Sequence, residues 1–149
     1  IYIIYDNIKN YLKYFTVGSF DIVLSNPPFF KVTENKELLN DLEQLSIARH
    51  EVELNLDELI DISSKLVKDR GYFYLVHRAD RLSEILVTLQ KYNFEAKKIK
   101  FCYTTKQKNA KIVLIEAIKN GKVGLSILPP LVINKDNGEY TDEVLKMFE

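Results

Sequence analysis

The chain has 149 residues, 46% of them hydrophobic and 28% charged, which is enough apolar material for one domain with its own core. Basic and acidic residues balance at 21 each, so the chain as a whole lacks the basic excess typical of proteins that hold nucleic acid through many phosphates. The single cysteine, Cys102, excludes a disulfide framework and a cysteine-based zinc site, no metal is expected, and no apolar run approaches the roughly 18 residues of a membrane span; a reducing, cytoplasmic setting fits.

Residues 1–5 are β-branched and aromatic and read as a strand. The chain opens on Ile1 rather than on a methionine, already inside that pattern, as expected of part of a longer protein. A short polar helix or loop over residues 8–15 follows, then Gly18-Ser19 as punctuation. Phe20–Ser25 is a nearly continuous apolar run, the pattern of a strand buried on both faces of a parallel sheet. Asn26-Pro27-Pro28 must end it, because proline has no N–H for a ladder and restricts the residue before it. Leu38, Leu39, Leu42 and Leu45 recur at helical spacing.

A second helix is predicted over residues 56–68, with Asn55 and Glu58 spaced as a capping box at its start and Gly71 as its C-terminal cap. A strand over residues 72–77 comes next. Asp80 is placed to cap a helix burying Leu82, Ile85, Leu86 and Leu89, and Asn93 sits where that helix should end in the left-handed conformation. Residues 96–103 and 112–118 read as strands joined by a polar loop with Lys106, Lys108 and Lys111. An Ile127-Leu128-Pro129-Pro130-Leu131-Val132-Ile133 segment and a turn at Asp136-Asn137-Gly138 complete the chain. Alternating strands and helices imply a doubly wound α/β sheet, mostly parallel, and the last two long strands, joined directly, must pair antiparallel or sit apart.

Asn26-Pro27-Pro28-Phe29 carries the chemistry. In open α/β sheets, ligands bind beyond the carboxyl ends of the strands, which is where this segment falls. An exocyclic amine on a nucleobase is a poor nucleophile, since its lone pair is delocalised into the ring. The Asn26 side-chain oxygen can accept one of its N–H bonds and the Pro27 carbonyl the other, which favours the pyramidal nitrogen that attack requires. The prolines fix those acceptors before substrate arrives. Phe29 offers a face on which an unstacked base can lie, a contact worth on the order of 1–3 kcal/mol.

The segment Asp21-Ile-Val-Leu-Ser-Asn26-Pro-Pro-Phe29 resembles motif IV of the amino methyltransferases, which act on adenine N6, guanine N2 or glutamine. Ala48-Arg49-His50-Glu51, His77-Arg78-Ala79-Asp80-Arg81-Leu82 and Leu128-Pro129-Pro130-Leu131-Val132 before Gly138-Glu139-Tyr140-Thr141 resemble the bacterial tRNA adenine-N6-methyltransferases that modify an anticodon-loop adenine of a valine tRNA. The resemblance covers essentially the whole chain. It implies a Rossmann-like class I methyltransferase fold, S-adenosyl-L-methionine as cofactor and tRNA as partner. It also implies that residues 1–149 form the C-terminal part of a single domain whose glycine-rich cofactor loop and ribose-binding acid lie upstream, so that these residues alone bind cofactor poorly or not at all. The family places an aspartate near the cofactor adenine; Asp6 or Asn7 falls there, and Asn26 lies at the cofactor's methyl end.

The resemblance sets Phe29, Phe30, Arg49 and His50 beside the substrate. Arg49 and His50 read equally as a polar helix end. Arg78 and Arg81 follow a strand on the ligand edge, where they could hold RNA phosphates or serve as solvated charges at a helix start. His77 reads first as a hydrogen-bonded structural histidine. The lysines of residues 104–111 fit RNA contact and solvated surface alike. Guanine-N2 methylation of ribosomal RNA, methylation of a protein glutamine, and a non-catalytic RNA- or partner-binding module remain alternative readings.

Overall fold

Asn55 sets the first helix. Its side chain accepts the Glu58 N–H at 2.9 Å while the Glu58 carboxylate accepts the Asn55 N–H at 3.1 Å, the capping box expected from the spacing. The computed structural model describes residues 1–27 and 54–149. Helix α1 spans Leu56–Leu66 and turns directly into strand β2, Val67–Arg78, which lies parallel to β1, Phe20–Ser25. A 3₁₀ turn, Ala79–Arg81, leads into α2, Leu82–Lys91, and Asn93 with φ 61° reverses the chain into β3, Phe94–Tyr103, as the sequence predicts.

Strand β4, Ile112–Lys119, enters between β2 and β3 and runs antiparallel to both. The two-residue strands β5, Ser126–Ile127, and β6, Leu131–Val132, pair parallel to β3 on its far side. Among the described strands, β4 alone opposes the common direction, giving the mostly parallel sheet with one antiparallel member that the sequence implied.

The side-chain period of two divides the sheet into faces. Phe73 and Leu75 of β2, Val113 and Ile115 of β4, and Phe94 and Ile99 of β3 meet Ile60 of α1 and Ile85 and Leu89 of α2 in the main core. The rings of Phe73 and Phe94 stack there with centroids 5.2 Å apart. On the opposite face Cys102, Leu131 and Val144 form a smaller cluster against Ile112 and Leu114, closed by the short helix α3, Asp142–Leu145. Beside it lies an open hollow of about 260 Å³ lined by Leu24, Tyr74, Leu114, Glu116 and Lys98.

Several expectations are corrected. Residues 1–5 join no ladder and are exposed, because a strand forms only against a partner and none meets them among the described residues. Among the described residues β1 stands at the end of the strand order and only one of its faces is covered: Val23 packs on the core while Ile22 and Leu24 are exposed. Asp80 does not cap α2; Arg81 is its N-cap residue, without a side-chain cap bond. The Leu38, Leu39, Leu42 and Leu45 helix lies outside the described residues.

Gly71 is not a helix cap either. The register between β1 and β2 jumps from Phe20–Val67 to Ile22–Tyr72, and the extra residues bulge out with Arg70 at φ 63°. Gly71 lies where the strands press together: a Cβ there would sit 2.7 Å from Val67 Cγ1 and 2.9 Å from the Asp21 carbonyl oxygen. Backbone cannot swing aside as a side-chain tip can. Gly71→Ala therefore destabilises the fold by about 1–3 kcal/mol, read as a lower urea midpoint with unchanged slope.

Candidate active site

The carboxyl ends of β1, β2 and β3 all lie on one edge of the sheet, and the loop from β3 to β4 crosses that edge. Strand β1 pairs through Ser25, opposite Leu75, and stops at Asn26, which precedes a proline and is held out of the helical region. Asn26 is exposed and Pro27 half-buried. Asn26 thus stands exposed at the ligand edge among the described residues. Pro28, Phe29, Phe30, Arg49 and His50 lie outside the described residues.

Asp6 and Asn7 come to the same edge. Helix α1 runs opposite to the strands, so its first turn is at the carboxyl end, and Lys9 pairs there with Glu58 at 2.9 Å. The 3₁₀ helix Ile8–Lys13 begins at Asn7, whose side-chain oxygen accepts the Lys9 N–H at 2.9 Å. Asp6 is held from several sides. Its Oδ1 accepts the Asn7 N–H and an Asn10 amide proton, both at 2.7 Å, and its Oδ2 accepts the Tyr14 hydroxyl at 2.7 Å.

The Tyr14 and Asn10 hydrogen bonds pull the Asp6 carboxyl down to about 2, and the same contact raises the Tyr14 phenol. Asp6 is therefore ionised throughout the physiological range, and this contribution is lost only as pH falls from the ordinary carboxylate range toward 2. A carbon-detected NMR titration should give Asp6 a midpoint near 2. Tyr14→Phe should return it toward the ordinary aspartate value. Asn10 and Tyr14 were missed in the sequence, although Asp6 and Asn10 stand four apart at helical spacing.

On β2, His77 is buried, its Nδ1 accepts the Arg78 N–H at 2.8 Å, and desolvation lowers the imidazole, keeping it neutral at pH 7. Arg78 makes a two-point pair with Asp80, its Nε at 3.0 Å from Oδ1. Arg81 does the same with Glu84, at 2.8 and 2.5 Å. Both arginines stand on the ligand edge with their planar forks already engaged.

These residues bear unequally on the cofactor that the resemblance implies. Asn7 and the remaining acceptor capacity of Asp6 suit the polar groups of a nucleoside cofactor on this edge, whereas Asn26, at the end of β1, falls where the resemblance puts the cofactor's methyl end. A glycine-rich cradle is not among the described residues. No group of three metal-ligating side chains occurs among the described residues, and no described helix is long and apolar enough to cross a membrane.

The chain is 29% identical over 133 residues to the tRNA1(Val) (adenine(37)-N6)-methyltransferase of Porphyromonas gingivalis, a match covering 87% of this chain and 50% of that protein. It is 27% identical over 128 residues to the Phocaeicola vulgatus protein of the same name, covering 86% and 52%. The chain thus spans about half the length of the curated relatives it matches. No protein-family model matches. Among solved structures, a predicted O-methyltransferase of Agrobacterium tumefaciens superposes with a TM-score of 0.65 at 19% identity, over 89% of this chain and 52% of that one. A Thermus thermophilus protein provisionally assigned as a DNA modification methylase, solved with S-adenosyl-L-methionine, gives 0.50 at 14%, over 80% and 55%. At such identities the likeness concerns fold alone, and the fold shared with these structures is a Rossmann-like α/β one.

Proposed function

We propose that this chain, similar over most of its length to tRNA adenine-N6-methyltransferases, is the acceptor-side part of a single class I methyltransferase domain, acting on the N6 amine of an adenine in tRNA. One observation carries the reading: the parallel strand β1 ends in an exposed Asn26 followed by Pro27, on the edge where such sheets bind ligands. The similarity to the curated relatives supports the choice of tRNA adenine. Bound S-adenosyl-L-methionine would supply a methyl group on a positively charged sulfur.

The work of this chain is positioning. Asn26 Oδ1 and the Pro27 carbonyl accept the two amine protons and turn the nitrogen lone pair away from the ring. The two bonds strengthen as positive charge grows on that nitrogen, so they stabilise the transition state more than the bound base. No general base is needed, because the methylated nitrogen is acidic enough to lose its proton to water. Asp6 or Asn7 would face the nucleoside part of the cofactor, with Asp6 contributing fixed negative charge. Phe29 and Phe30 would stack on the base, and Arg49 and His50 would border it. A cytoplasmic site of action follows from a tRNA substrate.

The test is transfer of labelled methyl by the complete gene product to tRNA, ribosomal RNA and peptide release factor, offered separately. Label in tRNA alone, recovered as N6-methyladenosine, is expected. Label only in ribosomal RNA or in protein overturns the substrate assignment. Absence of transfer to all three, with cofactor bound, favours a non-catalytic module.

A further inference from the structure

We infer that residues 104–111, the loop from β3 to β4, form a docking site for the phosphate backbone of the RNA substrate, with Lys106, Lys108 and Lys111 as its contacts. The inference rests on the methyltransferase reading above for its substrate, and on three features of the loop itself.

The first is charge. The segment Thr104-Thr105-Lys106-Gln107-Lys108-Asn109-Ala110-Lys111 contains three lysines and no acid. All three lysines are exposed, and none forms an ion pair among the described residues. Lysines elsewhere are mostly spoken for: Lys9, Lys65, Lys68, Lys91, Lys98, Lys100 and Lys135 each pair with a carboxylate within 3.0 Å. A chain of zero net charge that leaves three cations within six residues without a carboxylate partner among the described residues concentrates positive potential there.

The second is anchorage. The Lys111 carbonyl accepts the Ala79 N–H at 2.9 Å, and the Lys111 N–H donates to the Cys102 carbonyl at 3.2 Å. On the other side the Thr104 carbonyl accepts the Asn134 N–H at 2.9 Å. The base of the loop is thus tied to the exit of β2 and to the segment after β6, so the ordering cost of fixing it on RNA is partly met in advance.

The third is place. The loop crosses the edge that presents Asn26, with β2 alone between β1 and β4. Two to three strand spacings amount to about 10–14 Å. That places the loop within reach of phosphates neighbouring the reacting base. Arg78 ends β2, next to β1, and Arg81 follows it, but Asp80 and Glu84 already engage their forks, so a phosphate would have to displace a carboxylate. The lysines require no such exchange.

The experiment uses the complete gene product carrying Lys106→Gln, Lys108→Gln and Lys111→Gln together, beside a control variant with Lys122→Gln and Lys146→Gln. Steady-state methylation and filter binding of tRNA are measured across a salt series. For the loop variant, KM and Kd for tRNA rise about tenfold or more, and the slope of log affinity against log salt flattens by about 2. S-adenosyl-L-methionine affinity and the melting temperature stay at wild-type values, and the control changes the slope by less than about 1. Unchanged tRNA affinity and salt slope in the loop variant overturn the inference, as does an equal loss in the control. If the wild type methylates no RNA, the proposed function fails by itself. The binding series then still decides the loop: equal tRNA affinity for wild type and loop variant rejects it, and a selective loss in the loop variant upholds it.

Discussion

Asn26→Ala in the complete gene product should lower turnover on tRNA by about a hundredfold to a thousandfold, the usual cost of deleting one preorganised polar group at a developing charge. The loss should fall on kcat, because the Asn26 amide acts on the amine nitrogen as it becomes positive rather than on the resting base. The Pro27 carbonyl survives the substitution and leaves a residual rate. Cofactor affinity should stay within about twofold, since the pyramidal amine and not the nucleoside end of the cofactor is what loses its partner. Single-turnover methylation, with calorimetric titration of S-adenosyl-L-methionine, separates the two quantities. Asn26 is exposed at the end of β1, so the substitution opens no cavity and a folding defect should not obscure the result. Wild-type turnover in the alanine variant would end the assigned role.

The second large effect is on stability. Phe73→Ala should cost about 3–5 kcal/mol, a sizeable part of the 5–15 kcal/mol that holds a typical domain folded. Phe73 is fully buried, and its ring stacks on Phe94 at the junction of α1, α2, β2 and β3. Alanine removes the ring and leaves a void that close-packed neighbours fill only in part. Val87→Ala on the exposed side of α2 should stay within about 0.5 kcal/mol. Urea unfolding of both variants at constant slope measures the difference; a Phe73 loss below about 1 kcal/mol would show that the core relaxes around the gap.

What could be read from the sequence was what local chemistry determines. The Asn55–Glu58 box, the left-handed Asn93 and the turn at Gly138 depend on a few neighbouring residues, and each stands where expected. Asn26 at the end of a parallel strand was legible because proline permits little else there. The errors arose where distant partners decide. Gly71 looked like a helix cap because it follows a charged helix end, yet what demands glycine is the Asp21 carbonyl on another strand. The β-branched run at residues 1–5 has strand propensity, but propensity without a ladder partner makes no strand. Phe20–Ser25 looked doubly buried because its composition is apolar, whereas burial needs a layer on each face, and among the described residues only the Val23 face has one. Within the site, the double engagement of Arg78 and Arg81 was open to a reading of spacing, since Asp80 and Glu84 stand two and three residues on. The threefold grip on Asp6 by Asn7, Asn10 and Tyr14 needed the 3₁₀ turn to be visible.

The wedging of β4 between β2 and β3 has a bearing on biosynthesis. During translation β2 is complete at Arg78, yet the neighbour on its open side ends only at Lys119, about 41 residues later (119 − 78). At about 5–20 residues per second, that nascent edge stays without its hydrogen-bonding mate for about 2–8 s. Strand β3 emerges in the interval and must be kept from docking in the vacant lane, where a parallel pairing of β2 with β3 would leave β4 no slot on arrival. Nascent chains stalled where β2 and β3 have left the ribosome but Ile112–Lys119 has not should therefore be the ones that chaperones grip most firmly.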